Sequence, residues 1–155
     1  MKKRYWALLL VGGAASMVTM LLVGGQMGMG VGQGISRWRR ARQPMSVLVD
    51  KAVSVTSKSL PIDLGAGWTF ARIEGSPAGL TNTLTFNGAA SAARFDAAVA
   101  LMAPAMSTNL CAHEFTAAIL TKGGTVTMRF EADVDGAPAH RIEILDAARC
   151  GLSSS

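Results

Sequence analysis

Charge is missing from a long stretch near the start of this 155-residue chain. The thirty-one residues from Tyr5 to Ile35 carry no charged side chain, whereas a membrane-spanning helix needs only about 20 apolar residues. This run predicts a single transmembrane anchor over residues 5–35. We place the bilayer core near residues 5–25, because the whole run would be too long for the hydrocarbon layer if it were helical.

Motifs of common catalytic chemistry are also missing. The chain has no Gly-x-Ser-x-Gly elbow, no P-loop, no Gly-x-Gly-x-x-Gly after a strand and no Cys-x-x-Cys. His113 and Glu114 lie next to Cys111, but residues two apart on a helix point about 200° away from each other. Cys111 and His113 are therefore poorly placed to share a metal. We expect no catalytic residue, no metal and no cofactor.

A surplus of positive charge is present, but it is confined to the ends of the anchor. The formal net charge is +5 and the pI is about 9.8, yet seven of the fifteen basic residues flank the uncharged run and the rest of the chain is mildly acidic. This distribution argues against nucleic acid and favours membrane lipid as a partner. The predicted membrane-interface residues are Trp6, Trp38, Arg37, Arg39, Arg40 and Arg42.

Glycine recurs every fourth residue in the second part of the anchor. Gly24, Gly28 and Gly32 would share one face of a helix, where missing side chains let another helix approach closely. This spacing predicts packing on the helices of integral membrane proteins. The alternative is that the glycines mark a fraying helix end.

The two cysteines decide the orientation, because three basic residues precede the anchor and four follow it. Cys111 and Cys150 could form one disulfide, which would persist in the periplasm but not in the cytosol. We therefore predict a bacterial inner-membrane protein with its C-terminal domain in the periplasm. Two alternatives stay open: a pair of buried thiols in a cytosolic domain, and cleavage of the anchor after Ala15.

The remaining chain predicts an α+β fold, a small antiparallel sheet with one or two helices and one disulfide. Residues 1–4 form a basic N-terminus, 5–35 the anchor, 36–44 a basic hinge, 45–150 the domain and 151–155 a frayed tail. Strands are predicted over Ala52 to Ser57, Trp68 to Ile73 and Leu80 to Phe86.

Helical periodicity begins near Ala89, and Pro104 is expected to kink or end this helix. A second helix is predicted from Ser107-Thr-Asn109 to Gly123-Gly124. A hairpin then turns at Asp135-Gly136. Its inward residues are expected to be Val126, Met128, Phe130 and Ala132 on one strand and His140, Ile142 and Ile144 on the other.

Glu131, Asp133 and Asp135 alternate on the other face of the hairpin. They predict a solvated strand face, with a calcium or cationic-partner surface as the alternative. A Cys111–Cys150 bond would pin a helix against the hairpin and so would have a structural role.

The order of these motifs resembles a group of small bacterial envelope proteins. The features are Val49-Asp50, a cysteine, a helix, Gly-Gly-Thr-Val-Thr-Met-Arg-Phe from Gly123, then Asp135-Gly136 and a closing cysteine. They are similar to two-cysteine proteins that are single-pass or exported. The resemblance implies no assigned activity and no catalytic residue.

Three functions are compatible with these features. The first is a non-catalytic accessory or assembly subunit of an inner-membrane complex, which packs by its transmembrane helix and covers the periplasmic side. The second is a membrane-tethered periplasmic ligand-binding or chaperone-like module. The third, an enzyme, would require a pocket that gathers residues such as His140, Asp50 and Arg72.

Overall fold

The computed structural model describes residues 42–89 and 91–153. The predicted anchor lies outside these residues, and so do the glycines Gly24, Gly28 and Gly32 and the interface residues Trp6, Trp38, Arg37, Arg39 and Arg40. The described helices and strands are α1 (Met45–Ser57), β1 (Ile62–Gly65), β2 (Trp68–Ser76), β3 (Gly79–Phe86), α2 (Ala92–Ala112), α3 (Glu114–Thr121), β4 (Thr125–Val134) and β5 (Ala137–Leu145).

The five strands form one mixed sheet in the order β1-β2-β3-β4-β5. Three of the pairings are antiparallel, but β3 and β4 run parallel, with Gly79 opposite Thr125 and Phe86 opposite Ala132. Parallel neighbours require a crossover connection, and α2 and α3 supply it. The α+β class and the disulfide are confirmed, whereas the prediction of a wholly antiparallel sheet is wrong.

All three helices pack against one face of the sheet. The core lies between these two layers, and its centre is the indole of Trp68, which is 3% exposed. Its ring centroid lies 4.8 Å from that of Phe86, 6.4 Å from that of Phe95 and 5.5 Å from that of Phe130. These contacts join β2, β3, β4 and α2 through one aromatic cluster.

The strand predicted over Ala52 to Ser57 is instead the second half of α1. Leu48, Val49 and Ala52 are buried on one side of this helix, a spacing that suits packing on a sheet. Gly75 of β2 permits this approach, because a Cβ placed on it would lie 2.5 Å from Cγ1 of Val49. Tertiary packing therefore overrides the strand preference of the β-branched residues.

Helix α2 continues through Pro104 and ends eight residues later, so the prediction that the helix could end at this proline is wrong. The proposed cap residues Ser107 and Thr108 lie inside the helix, where their hydroxyls donate to the carbonyl oxygens of Ala103 (2.8 Å) and Pro104 (3.0 Å). The true N-cap is Ser91, whose hydroxyl accepts from the Arg94 amide. Helix α3 starts only after His113.

The two-residue turn Asp135-Gly136 is confirmed, but it reverses the predicted inner face of β5. Phe130 of β4 pairs with Arg141, so odd-numbered residues of β5 share the face of the core. Ile142 and Ile144 lie on the opposite face and are 53% and 51% exposed. His140 is exposed on the same face, which contradicts its predicted place beside the core.

The N-terminus of α1 lies at one end of the sheet, beside the turn that precedes β4. The Met45 side chain reaches to 2.7 Å from the position of a Cβ on Gly124. The preceding residues therefore join the domain at the end where β4 starts and β5 finishes.

Candidate functional site

The disulfide between Cys111 and Cys150 is present, and its Cα atoms are 5.3 Å apart. Cys111 lies near the end of α2, not at the start of a second helix as predicted. Cys150 lies in a turn after β5, where its amide donates to the carbonyl oxygen of Asp146 at 3.2 Å. The bond thus ties the crossover helix to the segment that leaves the last strand.

A long uncharged surface runs along the exposed side of α2. No charged residue lies between Asp96 and Glu114, although α2 faces the core with only one side. Only four of its 21 residues are buried, namely Phe95, Val99, Ala103 and Met106. Arg94 and Thr108 are exposed on this side of the helix, among residues that are small or apolar: Ala93, Ala97, Ala100, Leu101, Pro104 and Ala105. We call this set the α2 face.

Leu101 is the most exposed large apolar residue of the α2 face, at 81%. Helix α2 also has the length and apolar composition of a membrane span, but it contacts α3, β4 and β5 as part of the domain. Exposed apolar patches of this kind mark sites where another molecule binds. The α2 face is therefore the candidate functional surface of the described residues.

On the face of the sheet that carries no helix, polar side chains cover β2, β3 and β4, whereas Ile142 and Ile144 of β5 are apolar. Arg72 pairs with Glu74 at 3.2 Å, and Arg129 pairs with Glu131 at 2.6 Å. Between the two arginines lies Thr83, which is opposite both of them in the register and is only 2% exposed. This face is a solvated surface with internal charge pairing.

Glu131, Asp133 and Asp135 do not share one environment. Glu131 is engaged by Arg129, Asp133 is exposed at the end of β4, and Asp135 forms the turn. Within residues 42–89 and 91–153, no three histidine, cysteine or acidic side chains gather as a metal site would require. Cys111 is not available as a metal ligand, because its sulfur is in the disulfide.

The residues named for an enzyme are not brought together. Asp50 belongs to α1 on the helical side of the sheet, whereas Arg72 and His140 lie on the helix-free face, on strands β2 and β5. A shallow hollow of about 400 Å³ does lie beside His140. Its wall includes Arg129 and Glu131, which neutralise each other.

Sequence reasoning missed the α2 face, although a signal for it was present. Phe95, Val99, Met102 and Met106 define one helical stripe, and Leu101 lies outside that stripe. A large apolar residue off the core stripe, in a helix without charged side chains after Asp96, indicates a second surface that another molecule covers. The predicted break at Pro104 concealed the continuity of this helix.

No protein-family model and no curated relative matches the chain. Solved structures do match. A Pseudomonas aeruginosa protein provisionally described as secreted has a TM-score of 0.55 at 16% identity, over 68% of this chain and 92% of that chain. The domain therefore shares the fold of that protein.

Two pilotins of type II secretion systems also match, both with a TM-score of 0.45. The Vibrio vulnificus pilotin EpsS is 18% identical and the Vibrio cholerae pilotin AspS 13% identical, each over 72% of this chain and 96% of the pilotin.

Proposed function

We propose that this protein is a non-catalytic accessory or assembly subunit of a bacterial inner-membrane complex. The α2 face is the observation that carries the proposal, because a long uncharged helix surface on a small domain is stabilised when a partner covers it. The anchor at residues 5–35 holds the domain at the membrane, and the partner is an integral membrane protein. Gly24, Gly28 and Gly32 provide a second contact, within the bilayer.

The disulfide supports a periplasmic place for the domain. Disulfides persist in the periplasm and are rare in the cytosol of mesophiles, and the Cys111–Cys150 bond joins two separate elements of this fold. The structural likeness to a secreted-type protein agrees with this compartment. The mechanism is binding: the anchor limits diffusion to the membrane plane, and the α2 face then docks on the part of the partner that projects from the bilayer.

The test is purification of the tagged full-length chain from its native membrane in a mild detergent, followed by mass spectrometry of the proteins recovered in stoichiometric amount. A defined set of membrane proteins is expected. Leu101→Glu should reduce their recovery at least about tenfold, since burying a leucine contributes about 1.5–3 kcal/mol and 1.4 kcal/mol is a factor of ten. The matched control is Val55→Glu, at a helix position that is 54% exposed and outside the α2 face.

The anchor is tested in the same way. Gly28→Leu should lower partner recovery, while Ala15→Leu, a small-to-large change on another side of the predicted helix, should not. Recovery of the chain without other membrane proteins, or equal recovery with Leu101→Glu and with Val55→Glu, would overturn the accessory function.

The second candidate is a membrane-tethered periplasmic ligand-binding or chaperone-like module. The hollow beside His140 favours it, because about 400 Å³ is within the range of small-molecule sites. A screen of ligands by thermal shift of the full-length chain tests this function. A shift that disappears with His140→Ala but persists with Leu101→Glu would support it over the accessory function.

A further inference from the structure

Strand β5 forms a long open edge of the sheet. Val134 and Ala137 flank the two-residue turn and therefore form a hydrogen-bonded pair. Hydrogen-bonded pairs alternate along an antiparallel ladder, so the odd-numbered residues of β5 bond to β4. The backbone N–H and C=O groups of His140, Ile142 and Ile144 consequently point outward, away from the sheet.

Arginine side chains occupy part of this edge. Arg141 donates to the carbonyl oxygen of His140 at 2.9 Å, and Arg149 donates to that of Ile144 at 2.7 Å. Ile142 lies between them, and no group of residues 42–89 and 91–153 bonds to its outward N–H or C=O. Its side chain is also 53% exposed. The centre of the edge is thus an apolar residue with unused backbone groups, which favours pairing with another strand.

We propose that β5 pairs with β5 of a second copy of this chain, antiparallel and centred on Ile142, so that two sheets join into one. A two-fold axis through this position places Ile142 opposite Ile142 and His140 opposite Ile144 of the second copy. Two isoleucines from each copy then form one apolar cluster on the helix-free face. The other edge, β1, has only four residues and offers far fewer groups for pairing.

The charges of β5 match this register. Arg141 lies opposite Glu143 of the second copy, and Glu143 lies opposite Arg141 of the second copy, which forms two cross-strand ion pairs. Moving the two-fold centre by two residues in either direction places Arg141 opposite an alanine instead. Of these three registers, only the Ile142-centred one places Arg141 opposite Glu143 in both directions and Ile142 opposite Ile142.

The ion pairs that now involve Arg141 and Glu143 can be replaced by ion pairs with a second copy. Arg141 pairs with Asp96 at 2.7 Å and Arg149 pairs with Glu143 at 3.0 Å, and the arginine side chains are 47% and 53% exposed. Ion pairs between such exposed groups contribute little to stability. Two chains confined to one membrane also meet at a high effective concentration, which favours a weak strand-to-strand contact.

Cysteine cross-linking of the full-length chain in its membrane tests the register. The native cysteines are already joined, so an introduced thiol is the only free one. Directly opposite residues of an antiparallel hydrogen-bonded pair have Cα atoms about 5.5 Å apart, which suits a disulfide. Ile142→Cys should therefore give a disulfide-linked dimer in most of the protein under mild oxidation.

Ile144→Cys is the matched control, because its own counterpart would lie four residues along the strand, about 13 Å away. It should not link to itself, but it should link to His140→Cys on a co-expressed chain with a different tag. Ile142→Lys can then be added to both chains of the Ile144→Cys and His140→Cys pair. It should lower the yield of the cross-linked dimer at least about tenfold, because two lysines then lie opposite each other.

Absence of the Ile142→Cys dimer would overturn the proposal, and so would equal yields from Ile142→Cys and Ile144→Cys. The unmodified chain must remain a monomer on a non-reducing gel, which excludes exchange with the native disulfide. This outcome is independent of the accessory function, which is judged by the other proteins recovered with the chain.

Discussion

Removal of the disulfide is the perturbation whose size follows most directly from the structure. Cys111 and Cys150 are 39 residues apart in sequence. The loop-entropy relation gives about 4 kcal/mol for a closure of this length. A domain of this size is stable by only about 5–15 kcal/mol. Replacing both cysteines with alanine should therefore remove a large share of the free energy of unfolding.

Urea unfolding of the full-length chain in detergent measures this change. Trp68 is 3% exposed in the core, and its fluorescence reports on the domain once Trp6 and Trp38 are replaced by phenylalanine. With a slope of about 2 kcal/mol per molar urea, the midpoint should fall by about 2 M. The single variant Cys150→Ala should lose as much as the double variant, because either change removes the same cross-link.

Two results would refute this reasoning. A loss below about 1 kcal/mol would show that the unfolded chain gains little freedom when the bond is absent. Additive losses from the two single variants would show that each side chain stabilises the fold by packing, independently of the bond.

Three further predictions concern the packing and placement of the domain. Gly75→Ala should destabilise it by about 1–3 kcal/mol, since the new methyl group meets Cγ1 of Val49, and adding Val49→Ala should recover part of the loss in the same urea assay. Phe95→Ala should cost about 3–5 kcal/mol, because this ring is 0% exposed in the aromatic cluster. In the proposed tethered arrangement, Lys122 lies at the end of the domain nearest the membrane, and β4 separates it from Asp133 by about 30 Å. A fluorophore on Lys122→Cys should therefore transfer energy to a headgroup acceptor more efficiently than one on Asp133→Cys. Equal transfer from the two positions would contradict this orientation of the domain.

Elements with a simple periodic pattern were predictable from the sequence. The strands around Trp68 and Leu80 and the hairpin at Asp135-Gly136 follow from alternation and turn chemistry. Helix α1 was not predictable from the sequence, because its valines and threonines favour a strand locally. Only the surface of β2 near Gly75 gives this helix a place to pack. The parallel pairing of β3 with β4 could not be predicted from the alternation of residues either, because it depends on where the crossover helices lie.

The inner face of β5 could have been predicted, because the turn alone determines it. In a hairpin with a two-residue loop at positions 135 and 136, opposite residues have numbers that add up to 271, so Phe130 must face Arg141. The apolar alternation of Ile142 and Ile144 suggested the other face. The hydrophobic pattern predicts that Ile142 and Ile144 are buried, but the turn geometry places them on the exposed face. These isoleucines therefore form an apolar surface that the fold of one copy leaves open to solvent.

The same disagreement occurs in α2, where Leu101 lies off the core stripe. Both exceptions place apolar side chains where the monomer does not bury them, and both lie on elements that the disulfide holds at one end. Cys111 lies in the last turn of α2 and Cys150 follows β5, at the end of the sheet where Met45 meets Gly124. In the proposed tethered arrangement this is the end nearest the membrane. The bond then holds both surfaces in fixed positions relative to the tether, and a rigid domain loses less entropy when a partner binds.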